Sequence, residues 1–302
     1  MPVLTRVLAR EEWEPLAQAH AERARVHTEP HLARRRAGRT HPVADFLFEY
    51  YNLSPGALER WHPGLRVGLA DAPEYAALGA YVEQDGVVTV DPSRMARRVS
   101  GWRWTRELLR RTASRPARTG CFGLHEWAMV YREPEERRHS APLRLGAEGT
   151  DRVVESHRLV CTHVDAFRFF TAEARPLNVE ILEREHQLER EQPGCLHATM
   201  DLYRIAFRML PFIEATIVLD AFELAMAVRE VDMMASPYDL RAHGYEPIRI
   251  ETPEGKAEYV RRQRAFTQAA APIRARLLEL VESLLADPAV DPAVDSSQPL
   301  PG

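Results

Sequence analysis

Three acidic side chains recur along one side of an otherwise apolar stretch. Asp220, Glu223 and Glu230 lie three and seven residues apart in TIVLDAFELAMAVREVDMM (216–234), so on a helix they share a face. A helix that is apolar on nearly every side is a buried helix. Buried carboxylates are costly unless a cation, a metal or hydrogen-bond donors meet them. The stripe therefore predicts a working site. A second apolar segment, CFGLHEWAMVYR (121–132), carries His125 and Glu126 as its strongly polar side chains. A carboxyl held there is desolvated and raised in pKa, which suits a general acid or base. The competing reading is a buried Glu–Arg pair that ties helices together.

Two further segments bring histidines near carboxylates. ESHRLVCTHVDAFRFF holds Glu155, His157, His163 and Asp165, and LHATMDLYRIAFRML holds His197 and Asp201 four apart on one helix face. That spacing is common among metal ligands. The same face continues to Arg204 and Arg208, so a plain solvent face explains it equally well. With a short connection at 211–215, that row could also neutralise the acidic stripe of the next helix. Under the metal reading the ligands come from His163, His197, Asp201, Asp220, Glu223 and Glu230, and the mixed imidazole–carboxylate donors suit Fe, Mn or Zn. No paired ExxH is present. Standard phosphate-binding and nucleophile motifs are also missing, and His125-Glu126 has Met129 where a zincin helix needs its second histidine.

The three cysteines, Cys121, Cys161 and Cys195, are widely spaced and form no CxxC pair, which argues against a disulfide framework and a zinc ribbon. Each reads as a small buried apolar residue. The formal net charge is -4, with basic residues in excess in the first half and acidic ones in the second. The densest basic strip, residues 94–118, includes Arg103, Arg106 and Arg110 with Trp102 and Trp104 among them. Such a strip can bind phosphate backbones or serve as a solvated helix face. No apolar run reaches the ~18 residues of a membrane span. Without an apolar signal segment, the expected location is the cytoplasm.

The elements that must position these groups are mostly helical. Residues 10–36 predict a long polar helix and 41–53 a short buried one. Ser54-Pro55 predicts a capped helix start. Asp85-Gly86 between β-prone runs predicts a hairpin over 79–91. Residues 96–113 and 121–132 predict helices, and 133–150 a surface loop. Stretches 150–160 and 163–171 read as helix, with 158–170 alternatively extended. Residues 180–191 are a charged helix or loop, 195–210 and 216–234 a helix pair, and 245–251 an extended segment. Thr252-Pro253 starts a final helix to about 286. The fold class is mainly α, a bundle-like single domain over 1–286 with a small β-hairpin. Any subdivision falls near 133–150, and 287–302 is a proline-rich disordered tail.

Seven blocks, HPVADFLFEYY, GCFGLHEWAMVYR, HVDAFRFFT, ARPLN, EQPGCLHATMDLYR, REVDMMASPYDL and GYEPIRIETPEGKAEYV, together resemble a family of bacterial proteins named 3-methyladenine DNA glycosylases. They span roughly 41–260. The chain resembles neither the helix-hairpin-helix nor the helical-repeat glycosylases. The resemblance implies DNA repair by hydrolysis of the N-glycosidic bond of alkylated purines, with DNA as partner. On that reading Glu126 or Asp165, with His125, would steady the sugar cation and direct water. Trp127, Tyr131, Phe169, Phe170 or Tyr203 would contact the extruded base, and Arg103, Arg106 and Arg110 would hold phosphates. The alternative is a metal-dependent oxygenase or hydrolase acting on a small molecule.

Overall fold

The computed structural model describes residues 4–133, 141–288 and 290. As expected, it is mainly helical with a minor sheet. The N-terminal third wraps a small sheet in helices. Strand β1 (Arg6–Leu8) is followed by α1 (Arg10–Arg36), α2 (Phe46–Tyr50) and α3 (Pro55–Glu59). Next come β2 (Val67–Ala70), α4 (Pro73–Ala76), β3 (Tyr81–Gln84) and β4 (Val87–Val90). The order is β1-β2-β4-β3, with β1 and β2 parallel and the other pairs antiparallel. Asp85 and Gly86 turn the hairpin at φ 53° and 76°. Both central residues therefore take the left-handed conformation that matches the twist of a tight hairpin. Ser54 Oγ accepts the Ala57 N–H and Pro55 opens α3, the capping pattern its sequence predicts.

The remaining helices build the body. They are α5 (Ser93–Ala96), α6 (Val99–Ser114), α7 (Leu124–Ala128), α8 (Gly146–Glu155), α9 (Val164–Phe167), α10 (Gln187–Arg190), α11 (Leu196–Arg208), α12 (Ala215–Met234) and α13 (Pro253–Leu285). The centre is α11 packed on α12, with α13 lying on both and also on α6. One hydrophobic core runs from Leu8 to Val290. A smaller cluster forms around Val43, Val130, Met233 and Tyr238. Gly255 near the start of α13 sits where a Cβ would lie 1.9 Å from the Arg249 carbonyl oxygen, so only glycine lets that turn close.

Several local readings are corrected. Only Leu124–Ala128 of the 121–132 segment is α-helical, because Phe122, Gly123 and Arg132 have positive φ and bend the chain away at both ends. The loop expected over 133–150 is shorter, since α8 begins at Gly146; residues 134–140 lie outside the described residues. Residues 245–251 join no sheet; Ile248 N–H donates instead to the Met234 carbonyl. Asp287 and Val290, assigned to the disordered tail, are held. Asp287 accepts from Arg66, and Val290 is buried in the core. The rest of that tail, Pro288 apart, lies outside the described residues. No described helix is long and apolar enough to cross a membrane.

The sheet region carries a pH sensitivity. His62 is buried, and its Nδ1 lies 2.7 Å from the Tyr81 hydroxyl, which donates to the neutral ring. Burial holds its imidazole down at about 3, with Arg60 adding to the effect. The unfolded chain takes up that proton near pH 6.5, so folding stability is complete above 6.5 and is lost as pH falls from there toward about 3. Unfolding free energies measured across this window should fall more steeply in the wild type than in His62→Asn. The difference approaches about 1.4 kcal/mol per pH unit. Parallel curves would reject this assignment.

Candidate functional site

The acidic stripe of α12 does not mark the site. Asp220 and Glu223 turn toward α1, where the Arg23 guanidinium meets both and His27 lies 3.3 Å from Glu223. Glu230 faces solvent. The spacing did place these residues on one side, but α1 supplies the cation, and half-exposed ion pairs of this kind contribute little. The buried charges of α12 sit on its other flank. Arg229 is 1 % exposed and Asp232 0 %.

Arg229 is the hub of a buried network. Its Nη1 donates to Glu126 Oε1 at 2.8 Å and to Asp232 Oδ2 at 3.2 Å, and its guanidinium covers the Phe46 ring at 3.8 Å. Glu126, expected as an acid or base, is thus engaged by a cation in a helix-tying pair, the bland alternative for this position. Its neighbour His125 points the other way along α7. His125 Nε2 and Asp232 Oδ1 lie 2.9 Å apart, yet neither atom finds a hydrogen-bond partner in good alignment. His125 Nδ1 is 3.7 Å from Cys121 Sγ. His197 on α11 completes the group, its ring centroid 4.4 Å from that of His125. One nitrogen from each histidine and one oxygen of Asp232 lie within 4.8 Å of one another.

The electrostatics distinguish the two imidazoles. Burial opposes charge on His125, but Asp232 beside it more than offsets this and raises the imidazole well above its ordinary value. Burial and the adjacent His125 push His197 well down, which leaves it neutral and available as a ligand. Burial alone would raise the Asp232 carboxyl; His125, His197 and Arg229 pull it far down.

A second buried group, His163, Glu191 and Asp201, adjoins the first, with the His163 and His197 rings stacked at 5.2 Å. Here the atoms are already engaged. Asp201 accepts from Tyr51 at 3.1 Å, from His163 Nε2 at 3.2 Å and from Arg204. Against its burial, Arg204 and His163 hold the Asp201 carboxyl at about 2. Glu191 accepts from Gln187 at 3.0 Å, and burial raises its carboxyl. This group reads as a bracing network behind the His125, His197 and Asp232 set.

The two histidines of the first group line a cavity of about 320 Å³, behind which Asp232 is fully buried. His125, His197 and Tyr259 line it, together with all three cysteines of the chain. Arg118 and Arg158, both exposed, also line it. Burial raises the Cys161 and Cys195 thiols, so both are protonated, unreactive groups of the wall. Gly194 packs against the Arg118 backbone, where a Cβ would lie 2.6 Å from the carbonyl oxygen.

The other expected site residues lie elsewhere. Trp127 is fully buried and donates to Ala235 O; Tyr203 is enclosed by Tyr51, Phe207 and Phe222; Phe170 packs on Phe167. These rings are core and have no face to offer a base. Tyr131 is also buried and donates to Glu155, and Phe169 lies under the Arg168 guanidinium at 4.6 Å. Asp165 on α9 is half-buried and accepts from Arg204 at 2.7 Å. Arg103, Arg106 and Arg110 are exposed on α6, with Arg110 bound to Glu107. Sequence reasoning brought His163, His197 and Asp201 to this region and named His125, though as a base. It missed Asp232, Arg229 and Glu191. The available signal was Arg229 and Asp232, three apart in the apolar run VREVDMM and on the helix face away from Glu223. Comparison with family models, curated proteins and solved structures finds no match for this chain.

Proposed function

We propose that the protein is an enzyme in which His125, His197 and Asp232 hold a divalent metal at the wall of the cavity and act on a small anionic molecule. The observation that carries this reading is the facing pair of buried, unaligned polar atoms, His125 Nε2 and Asp232 Oδ1, beside the neutral His197 ring. Buried polar atoms ordinarily find partners, and a shared cation satisfies both. Two carboxylates, Glu126 and Asp232, face one guanidinium and the His125 imidazole, so a cation bound here takes the place of the proton that Asp232 favours on His125. Two imidazoles and one carboxylate with open positions are the donor set of non-haem Fe(II) oxygenases, and Zn or Mn sites use similar ligands.

When bound, the metal supplies Lewis acidity and activates a coordinated small molecule. The chain's own residues do the rest. Arg229 and Glu126 fix the orientation of Asp232. Val160, Val179 and Leu196 make an apolar wall that limits water. Arg118 and Arg158 supply cations for a carboxylate or phosphate on the substrate. A volume of about 320 Å³ suits a small ligand. Adding Fe(II) under anaerobic conditions, or Mn(II) or Zn(II), should raise the unfolding midpoint of metal-stripped protein. The gain is about 2.7 kcal/mol at a metal concentration a hundredfold above Kd. His197→Ala should show no such gain. No shift with any of the three ions would reject the proposal.

Hydrolysis of alkylated DNA, implied by the resemblance, is the second reading. With Glu126 buried against Arg229, it rests on Asp165, which pairs with Arg204 but is half-buried and lines an arginine-containing groove. Base release that survives metal removal and is lost in Asp165→Asn would favour it over the first.

A further inference from the structure

A second concave region shares no lining residue with the cavity above. Two hollows of about 490 and 510 Å³ adjoin between α6, the 182–187 segment and the end of α11. They share Trp102, Trp104, Thr105, Arg184 and Arg208. The first also takes in Arg98 and no acidic side chain. Asp165 and Glu183 line the second, where Asp165 is engaged by Arg204.

Three features point to a ligand. Arg98, Arg184 and Arg208 are exposed and make no ion pair with a carboxylate among the described residues. Trp102 is 3 % exposed, and its indole Nε1–H has no acceptor, an unusual state for a buried donor. Trp104 on the same rim is 42 % exposed, a large flat ring open to solvent. Clustered guanidiniums call for an oxyanion with several acceptor oxygens. An exposed indole calls for a planar ring to stack on it.

We propose that this groove binds a phosphate joined to an aromatic base. The phosphoryl oxygens accept from Arg98, Arg184 and Arg208, and the ring stacks on Trp104. A free nucleotide and a nucleotide unit of single-stranded nucleic acid share this chemistry. The test is titration of the full chain at low salt with 5′-AMP, a short single-stranded oligo(dA) and inorganic phosphate, read by calorimetry and tryptophan fluorescence. Either nucleotide probe should bind, and the tighter of the two identifies the source. Arg208→Ala should weaken that binding about tenfold, as loss of one charge-assisted hydrogen bond does. Trp104→Ala should weaken AMP or oligo(dA) and leave inorganic phosphate unchanged. Both side chains are exposed, so the far-ultraviolet spectrum should not move. Neither nucleotide probe binding, or binding that ignores both substitutions, would overturn the proposal.

Discussion

Arg229→Met is expected to destabilise the protein by about 3–5 kcal/mol, because it leaves Glu126 and Asp232 as buried carboxylates with no guanidinium between them. Methionine keeps much of the side-chain volume, so the loss reports charge and not a cavity. The guanidinium also covers Phe46, and that contact disappears with it. The measurement is denaturant unfolding of metal-stripped protein. Adding Glu126→Gln to the variant should recover part of the loss, since it removes one of the stranded charges. A loss below about 1 kcal/mol would mean that the network is hydrated and contributes little.

Asp232→Asn should separate metal binding from folding. The asparagine keeps an oxygen near Arg229, and Arg229 still pairs with Glu126, so the fold should persist. The anionic ligand of the proposed set is gone. Loss of an orienting partner costs about 10–100-fold in metal affinity, and loss of the anionic ligand itself should exceed that. A competition titration with a chromophoric chelator gives the ratio. The burial of Asp232 makes the effect large, since no solvent is present to replace the carboxylate. Affinity unchanged within threefold would remove Asp232 from the site.

The local elements were legible in the sequence because their causes are local. Ser54 and Thr252 cap helices from one residue away, Asp85-Gly86 turns the hairpin by itself, and the 195–210 and 216–234 pair follows from apolar length and a short connection. The site was legible in part. His197 and Asp201 share a face by spacing alone, and His163 reached them from a neighbouring segment. What failed was the choice of flank on α12. A helix apolar all round gives no sign of which side meets which neighbour. Asp220 and Glu223 found Arg23, some 200 positions away, and that pairing has no trace in either segment. Asp232 and Arg229 met α7 for the same long-range reason. The three cysteines reached one cavity although nothing in their spacing announces it.

Proton and metal compete at His125. Asp232 favours the imidazolium, so binding a cation there must release a proton, and affinity should rise with pH. What occupies the space between His125, His197 and Asp232 decides between a metal and a proton. Elemental analysis of protein purified without chelators or affinity metals addresses this most directly. Fe, Mn or Zn near one equivalent per chain is expected, lost from both His197→Ala and Asp232→Asn. Metal-free wild type that also fails to take up any of the three ions would contradict it and leave a protonated His125 paired to Asp232 as the filling of that space.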